Sequence, residues 1–94
     1  MNLTVSASRF PTGSVFITRG AFKDLDPDDV LRCQIRHMAG DWGELGEFDW
    51  TQNDDAVEYG GRLFSSYRTR SGSTFWIITE CNRSVTTILL PEDY

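Results

Sequence analysis

The last third of the chain constrains its fold most. Three β-branched and aromatic runs, Arg62–Arg70 (RLFSSYRTR), Ser73–Glu80 (STFWIITE) and Ser84–Leu90 (SVTTILL), follow one another with short connections. Ser71-Gly72 supplies a two-residue hairpin turn and Cys81-Asn82-Arg83 a slightly longer one, so residues 62–90 read as an antiparallel β-meander. Alternation places Leu63, Ser65 and Tyr67 on one face and Phe64, Ser66, Arg68 and Arg70 on the other. The middle run is apolar on both sides, with Phe75, Ile77 and Thr79 opposing Trp76, Ile78 and Glu80. It therefore reads as a central strand, covered twice or covered once with an aromatic patch left bare. Pro91 ends the pairing because it has no amide to donate.

One helix stands out. In Asp26-Pro27-Asp28-Asp29, Asp26 accepts from the first free amides, Pro27 loses nothing at the first helical position, and the two following acids face the positive end of the helix dipole. The helix is expected over 26–39, with Gly40 as its left-handed stop, and with Val30, Leu31, Ile35 and Met38 as a single apolar stripe that packs on the sheet. Ser14–Thr18 (SVFIT) ahead of Gly20 reads as a short buried strand, and residues 1–13 as an irregular arm or edge strand. A chain of 94 residues has one core, burying about 60–65% of its unfolded surface, with little room for a deep cleft. The expected architecture is a single α+β domain over residues 1–94. It has a three- to four-stranded antiparallel sheet and one main helix packed on one face.

Residues 41–58 have a different chemistry. Asp41, Glu44, Glu47, Asp49, Asp54, Asp55 and Glu58 give this segment a charge of −7 with no base, while the residues on either side of it each sum to +1. Trp42, Phe48 and Trp50 are interleaved, Gly43 and Gly46 allow tight backbone, and Asn53-Asp54-Asp55 is a cap for a short helix through Tyr59, stopped by Gly60-Gly61. Carboxylates around exposed aromatic rings form a surface suited to a basic protein groove. The rings supply desolvated contact area, and the acids steer association and pair with Lys or Arg. The competing account is a solvated loop whose tryptophans turn inward as core.

Other chemistries find little support. The net charge of −5 opposes direct nucleic-acid binding, and no apolar run approaches a membrane span or an export signal. Cys33 and Cys81 lack metal-ligand partners at zinc spacing and read as reduced, semi-buried side chains. The order Asp49-Trp-Thr-Gln-Asn-Asp-Asp55 does not match a calcium loop. Gly60-Gly61-Arg62 opens a strand, not a helix, and reads as a turn rather than a phosphate nest. His37, the one histidine, reads as a helix-end residue favoured by the dipole; an acid–base role would need Asp41 or Glu44 beside it.

Several of these segments carry a resemblance. Gly40-Asp-Trp-Gly-Glu44, Asn53-Asp-Asp-Ala56, Gly61-Arg62-Leu63, Ser66-Tyr67, Trp76-Ile-Ile-Thr-Glu80 and Arg83–Tyr94 resemble a family of small plasmid-related proteins of unknown function found on mobile elements and phages. The similarity covers roughly residues 14–94 and is most specific near the C-terminus; Val15–Gly20 and the closing Pro-Glu-Asp-Tyr are also similar to a second domain family of unknown function. The resemblance brings no activity and no catalytic residues. It implies genomic company with plasmid and phage maintenance and counter-defence genes.

Together these readings point to a non-enzymatic, cofactor-free protein-binding inhibitor of anti-CRISPR or anti-restriction type. It would act in the cytoplasm of a host bacterial cell on a protein complex with a basic surface, without touching nucleic acid or membrane. The partner-binding residues are expected to be Asp41, Trp42, Glu44, Glu47, Phe48, Asp49, Trp50, Asp54, Asp55 and Glu58. The alternative is a small structural or regulatory module that dimerises through the exposed side of the meander, using Phe64, Phe75 or Trp76.

Overall fold

The fold is that of a computed structural model describing residues 8–94. Four strands, β1 (Ser14–Ile17), β2 (Leu63–Arg68), β3 (Thr74–Thr79) and β4 (Val85–Leu89), form one sheet in the order β1-β4-β3-β2. Three helices, α1 (Arg19–Asp24), α2 (Pro27–Met38) and α3 (Glu47–Tyr59), lie between β1 and β2, and a 3-10 turn (Pro91–Asp93) ends the chain. The molecule is α+β, and β2, β3 and β4 form the expected antiparallel meander. The sheet as a whole is mixed, because β1 runs parallel to β4, pairing Ser14 with Val85 and Ile17 with Ile88. The first hairpin connection is longer than two residues. Thr69 N–H donates to the Ser73 carbonyl (2.8 Å), and Thr69 Oγ1 accepts the Ser73 N–H.

The helix-facing side of the sheet carries Leu63, Ser65, Tyr67, Phe75, Ile77, Thr79, Thr86 and Ile88, all buried. Ala21, Leu25 and Cys33 close over its Tyr67–Phe75–Ile77–Ile88 part, and Phe10 and Trp42 over Leu63. Phe75 is therefore core, not an exposed dimerisation residue. On the opposite side Phe64 and Trp76 are half-buried and meet edge to face (4.9 Å between centroids), and the Tyr94 ring packs on Trp76 (6.0 Å).

The helix start at Asp26 is as expected. Its side chain accepts the Asp28 N–H at 2.8 Å, Pro27 opens the helix, and Gly40 follows the Ala39 cap at φ +82°. The buried face of α2 is not the expected stripe. Asp29, Cys33 and His37, one turn apart, point inward, whereas Leu31 and Ile35 are more than half exposed. The polar members are tolerated because partners distant in sequence satisfy them. Arg70 Nε donates to Asp29 (2.8 Å), and His37 bonds Ser65 and Thr79. β1 was expected to be buried and is instead an exposed edge strand.

Residues 8–13 are part of the body: Arg9 N–H donates to the Met38 carbonyl (2.8 Å), Phe10 is buried, and the Thr12 carbonyl accepts from Thr86 Oγ1 (2.7 Å). The remainder of the expected arm, 1–7, lies outside the described residues.

Candidate functional site

The acidic segment begins with two residues whose polar groups are taken up within the protein. Asp41 is held by Arg36, whose Nε and NH2 donate to its two carboxylate oxygens at 2.8 and 3.2 Å; that hydrogen bond keeps the Asp41 carboxyl below its ordinary pKa. Trp42 is wholly buried, stacked on Phe10 and edge-on to His37, and its indole N–H donates to Asp54 (3.0 Å). Gly43 at φ +79° then lets the chain run against β2: a Cβ there would strike the Ser66 carbonyl and the Tyr67 ring. The Trp42 carbonyl accepts the Ser66 N–H, and Glu44 N–H donates back to the Ser66 carbonyl (2.7 Å), so residues 42–44 cover part of the outer edge of β2.

From Glu47 the chain is helical for 13 residues, so the expected short helix starting near Asn53 is the second half of a longer one. Asn53 is not its cap. It is buried, with its amide donating to the Phe64 carbonyl (2.7 Å) and accepting the Phe64 N–H (3.2 Å). Trp50, Ala56 and Val57 pack on the Phe10–Trp42–Leu63 cluster, so Trp50 belongs to the seam with the core. At 100° per residue, the side opposite that seam is Phe48, Gln52, Asp55 and Tyr59, flanked by Glu47, Thr51 and Glu58. Phe48 is 75% and Tyr59 80% exposed, and they stand about 16 Å apart along the axis.

The charge is divided as well. Asp41 and Asp54 are neutralised by Arg36 and Arg9 (2.8 and 3.6 Å), which removes them from the expected patch together with Trp42 and Trp50. Glu44, Glu47, Asp49, Asp55 and Glu58 have no ion-pair partner among the described residues. Tyr59 is the surface residue that the sequence reading missed. Its signal is a spacing of eleven from Phe48, visible once the helix is started at Glu47. Beside Tyr59 an open cleft of about 290 Å³ lies between the end of α3 and Gly60–Arg62.

The C-terminal half of α3 is electrostatically unfavourable to itself. Asp54, Asp55 and Glu58 lie at i, i+1 and i+4 toward the negative end of the helix dipole, and no base occupies the last turn. Arg83 offsets this from outside, donating to the Ala56 (2.7 Å) and Gly61 (2.5 Å) carbonyls.

His37 is not placed for acid–base work. It has no solvent exposure and no contact with Asp41 or Glu44; Nδ1 meets Ser65 Oγ at 2.5 Å and Nε2 meets Thr79 Oγ1 at 2.9 Å. Burial pushes its pKa down to about 4, with Arg83 adding to the effect, so a neutral core imidazole replaces the expected dipole-stabilised cation. Cys33 is buried, and its thiol pKa is raised by that burial; Cys81 is exposed rather than semi-buried, and both are free thiols. Among the described residues no group of three or more His, Cys, Asp or Glu side chains is placed to hold a metal ion, and no helix is long and apolar enough to cross a membrane. No family model, curated protein or solved structure matches the chain.

Proposed function

We propose that this protein is a non-enzymatic protein-binding inhibitor carried by a phage or mobile element. It acts in the host cytoplasm by covering the basic nucleic-acid-binding surface of a defence complex of CRISPR or restriction type. One observation carries the reading: the outward face of α3 joins two exposed aromatic rings, Phe48 and Tyr59, to unpaired Glu47, Asp55 and Glu58, without a base on the helix. Such a face supplies aromatic contact area and a field that draws in Lys and Arg, and it competes with a phosphate backbone for the same groove. Glu44 and Asp49 extend the unpaired acidic set beside it. The resemblance of Trp76–Glu80 and Arg83–Tyr94 to plasmid-related proteins supports the genomic setting.

The test is capture from a bacterial lysate on the immobilised protein, with and without double-stranded DNA as competitor. The expected result is a bound protein that DNA displaces and that the Glu47→Lys/Asp55→Lys/Glu58→Lys variant does not retain. Equal retention by that folded variant overturns the reading.

A further inference from the structure

The two edges of the sheet are treated in opposite ways. On β2 the outer backbone groups of Phe64 are taken by Asn53, and those of Ser66 by Trp42 and Glu44. On β1 no described residue does the same. Ser14 N–H donates to the Ser84 carbonyl and Thr18 N–H to the Ile88 carbonyl, so alternation turns the N–H and C=O of Val15 and Ile17 toward the open edge. That edge is short, four residues, but carries neither a charge nor a proline to block pairing. Residues 10–18 contain no charged side chain, and Pro11 lies outside the strand.

We infer that β1 is the interface of a homodimer, two copies pairing their β1 strands antiparallel across a two-fold axis at Phe16 to make one eight-stranded sheet. In that register Val15 of one copy faces Ile17 of the other twice, and each pair exchanges two hydrogen bonds through groups that already point outward. Phe16 meets its own mate as a non-hydrogen-bonded pair, the closer kind, with ring against ring. No charge opposes a like charge anywhere in the overlap, which suits a second copy of a chain whose net charge is −5.

The exposed apolar surface is large enough. Ile17 lines a groove of about 170 Å³ with Phe22, Leu25 and Leu31, and Ile35 follows Leu31 by one turn of α2. Val15, Phe16, Ile17, Phe22, Leu31 and Ile35 are 36–75% exposed. At about 150–200 Å² for a large side chain, these six present roughly 500–600 Å² per copy, Phe16 on one face of the strand and the others on the other, so the most that two copies can bury from them is about 1,000–1,200 Å², the lower size of a specific interface. This pairing does not depend on what the acidic face of α3 binds.

The experiment is sedimentation of the purified full chain from about 1 to 500 µM, a range that spans micromolar dissociation constants. The expected result is a species of twice the 10.7 kDa chain mass for the wild type, and a monomer throughout for Phe16→Lys, which sets like charges face to face on the axis. A wild-type monomer at the highest concentration overturns the inference, as does a Phe16→Lys variant that dimerises equally. A second arm uses Phe16→Cys in a Cys81→Ser background, since the opposed Cα atoms of that pair, about 4.5 Å apart, suit a disulfide. A covalent dimer on a non-reducing gel is expected, and its absence after oxidation overturns the proposal.

Discussion

Asn53, in the middle of α3, holds both main-chain groups of Phe64 on β2 through its one side-chain amide. The contact imitates a neighbouring strand. It closes the edge of the sheet and fixes the height at which α3 crosses it, and so it decides which side of the helix faces out. Asn53→Ala leaves a donor and an acceptor unsatisfied next to a buried site, a loss of about 2–3 kcal/mol. Asn53→Asp loses at least as much, because a carboxylate then faces the Phe64 carbonyl. Urea midpoints at unchanged m-value measure both.

The core carries a hydrogen-bonded chain whose direction is set by its end. Thr86 Oγ1 donates its one proton to the Thr12 carbonyl, so Thr79, 2.7 Å away, must donate to Thr86. His37 Nε2 must then donate to Thr79, and the bare Nδ1 accepts from Ser65. Nitrogen-15 chemical shifts should therefore report the neutral Nε2–H tautomer at pH 7.

The same histidine makes stability fall with acid in a defined window. Its folded pKa of about 4 lies below the ordinary 6.5, so between these values the unfolded chain binds the extra proton. The contribution is complete above pH 6.5 and drains away as the pH falls toward 4, reaching about 3 kcal/mol in all. Asp41, held down by Arg36, loses its own contribution only below the ordinary carboxylate range, so the two windows separate. A urea midpoint that stays flat from pH 6.5 to 4.5 contradicts the buried assignment.

What could be read ahead of the fold was local. The Asp26 cap, the Gly40 stop and the alternating meander each rest on chemistry within a few residues, and each stands. The inward face of α2 could not be read that way, because Asp29 and His37 are made tolerable by Arg70, Ser65 and Thr79, which lie 28 to 42 positions on. The parallel pairing of β1 with β4 joins residues about 70 apart in sequence, beyond any turn signal. In the acidic segment, composition picked out the charged stretch but neither the helix start at Glu47 nor which rings face outward. Trp42 went to the core and Trp50 to the seam beside it, while Phe48 and Tyr59 stayed in water.

That exchange of roles gives a direct comparison. Trp42→Ala removes a fully buried indole and its bond to Asp54, at a cost of about 3–5 kcal/mol, whereas Phe48→Ala, a few residues on, stays within about 0.5 kcal/mol. Thermal melts of the two variants settle it, with equal losses placing Phe48 in the core.

The acids at the end of α3 separate stability from binding. Glu58 sits in the last turn, where the dipole disfavours negative charge, one turn from Asp54 and Asp55, and nothing on the helix offsets it. Glu58→Lys removes the unfavourable dipole contact and replaces the repulsion from unpaired Asp55 with an attraction, Asp54 being already paired with Arg9, so the variant should gain about 0.5–1 kcal/mol at low ionic strength. Half-molar salt should shrink that gain severalfold, because the interaction lies at the surface within reach of screening ions. The same substitution removes a carboxylate from the face proposed to dock on a basic partner. A protein that becomes more stable while its partner dissociates faster marks Glu58 as a residue kept for recognition; a loss of stability would mean that Glu58 has a structural partner. Urea titrations at two salt concentrations, beside dissociation rates from the captured partner, read both effects on one variant.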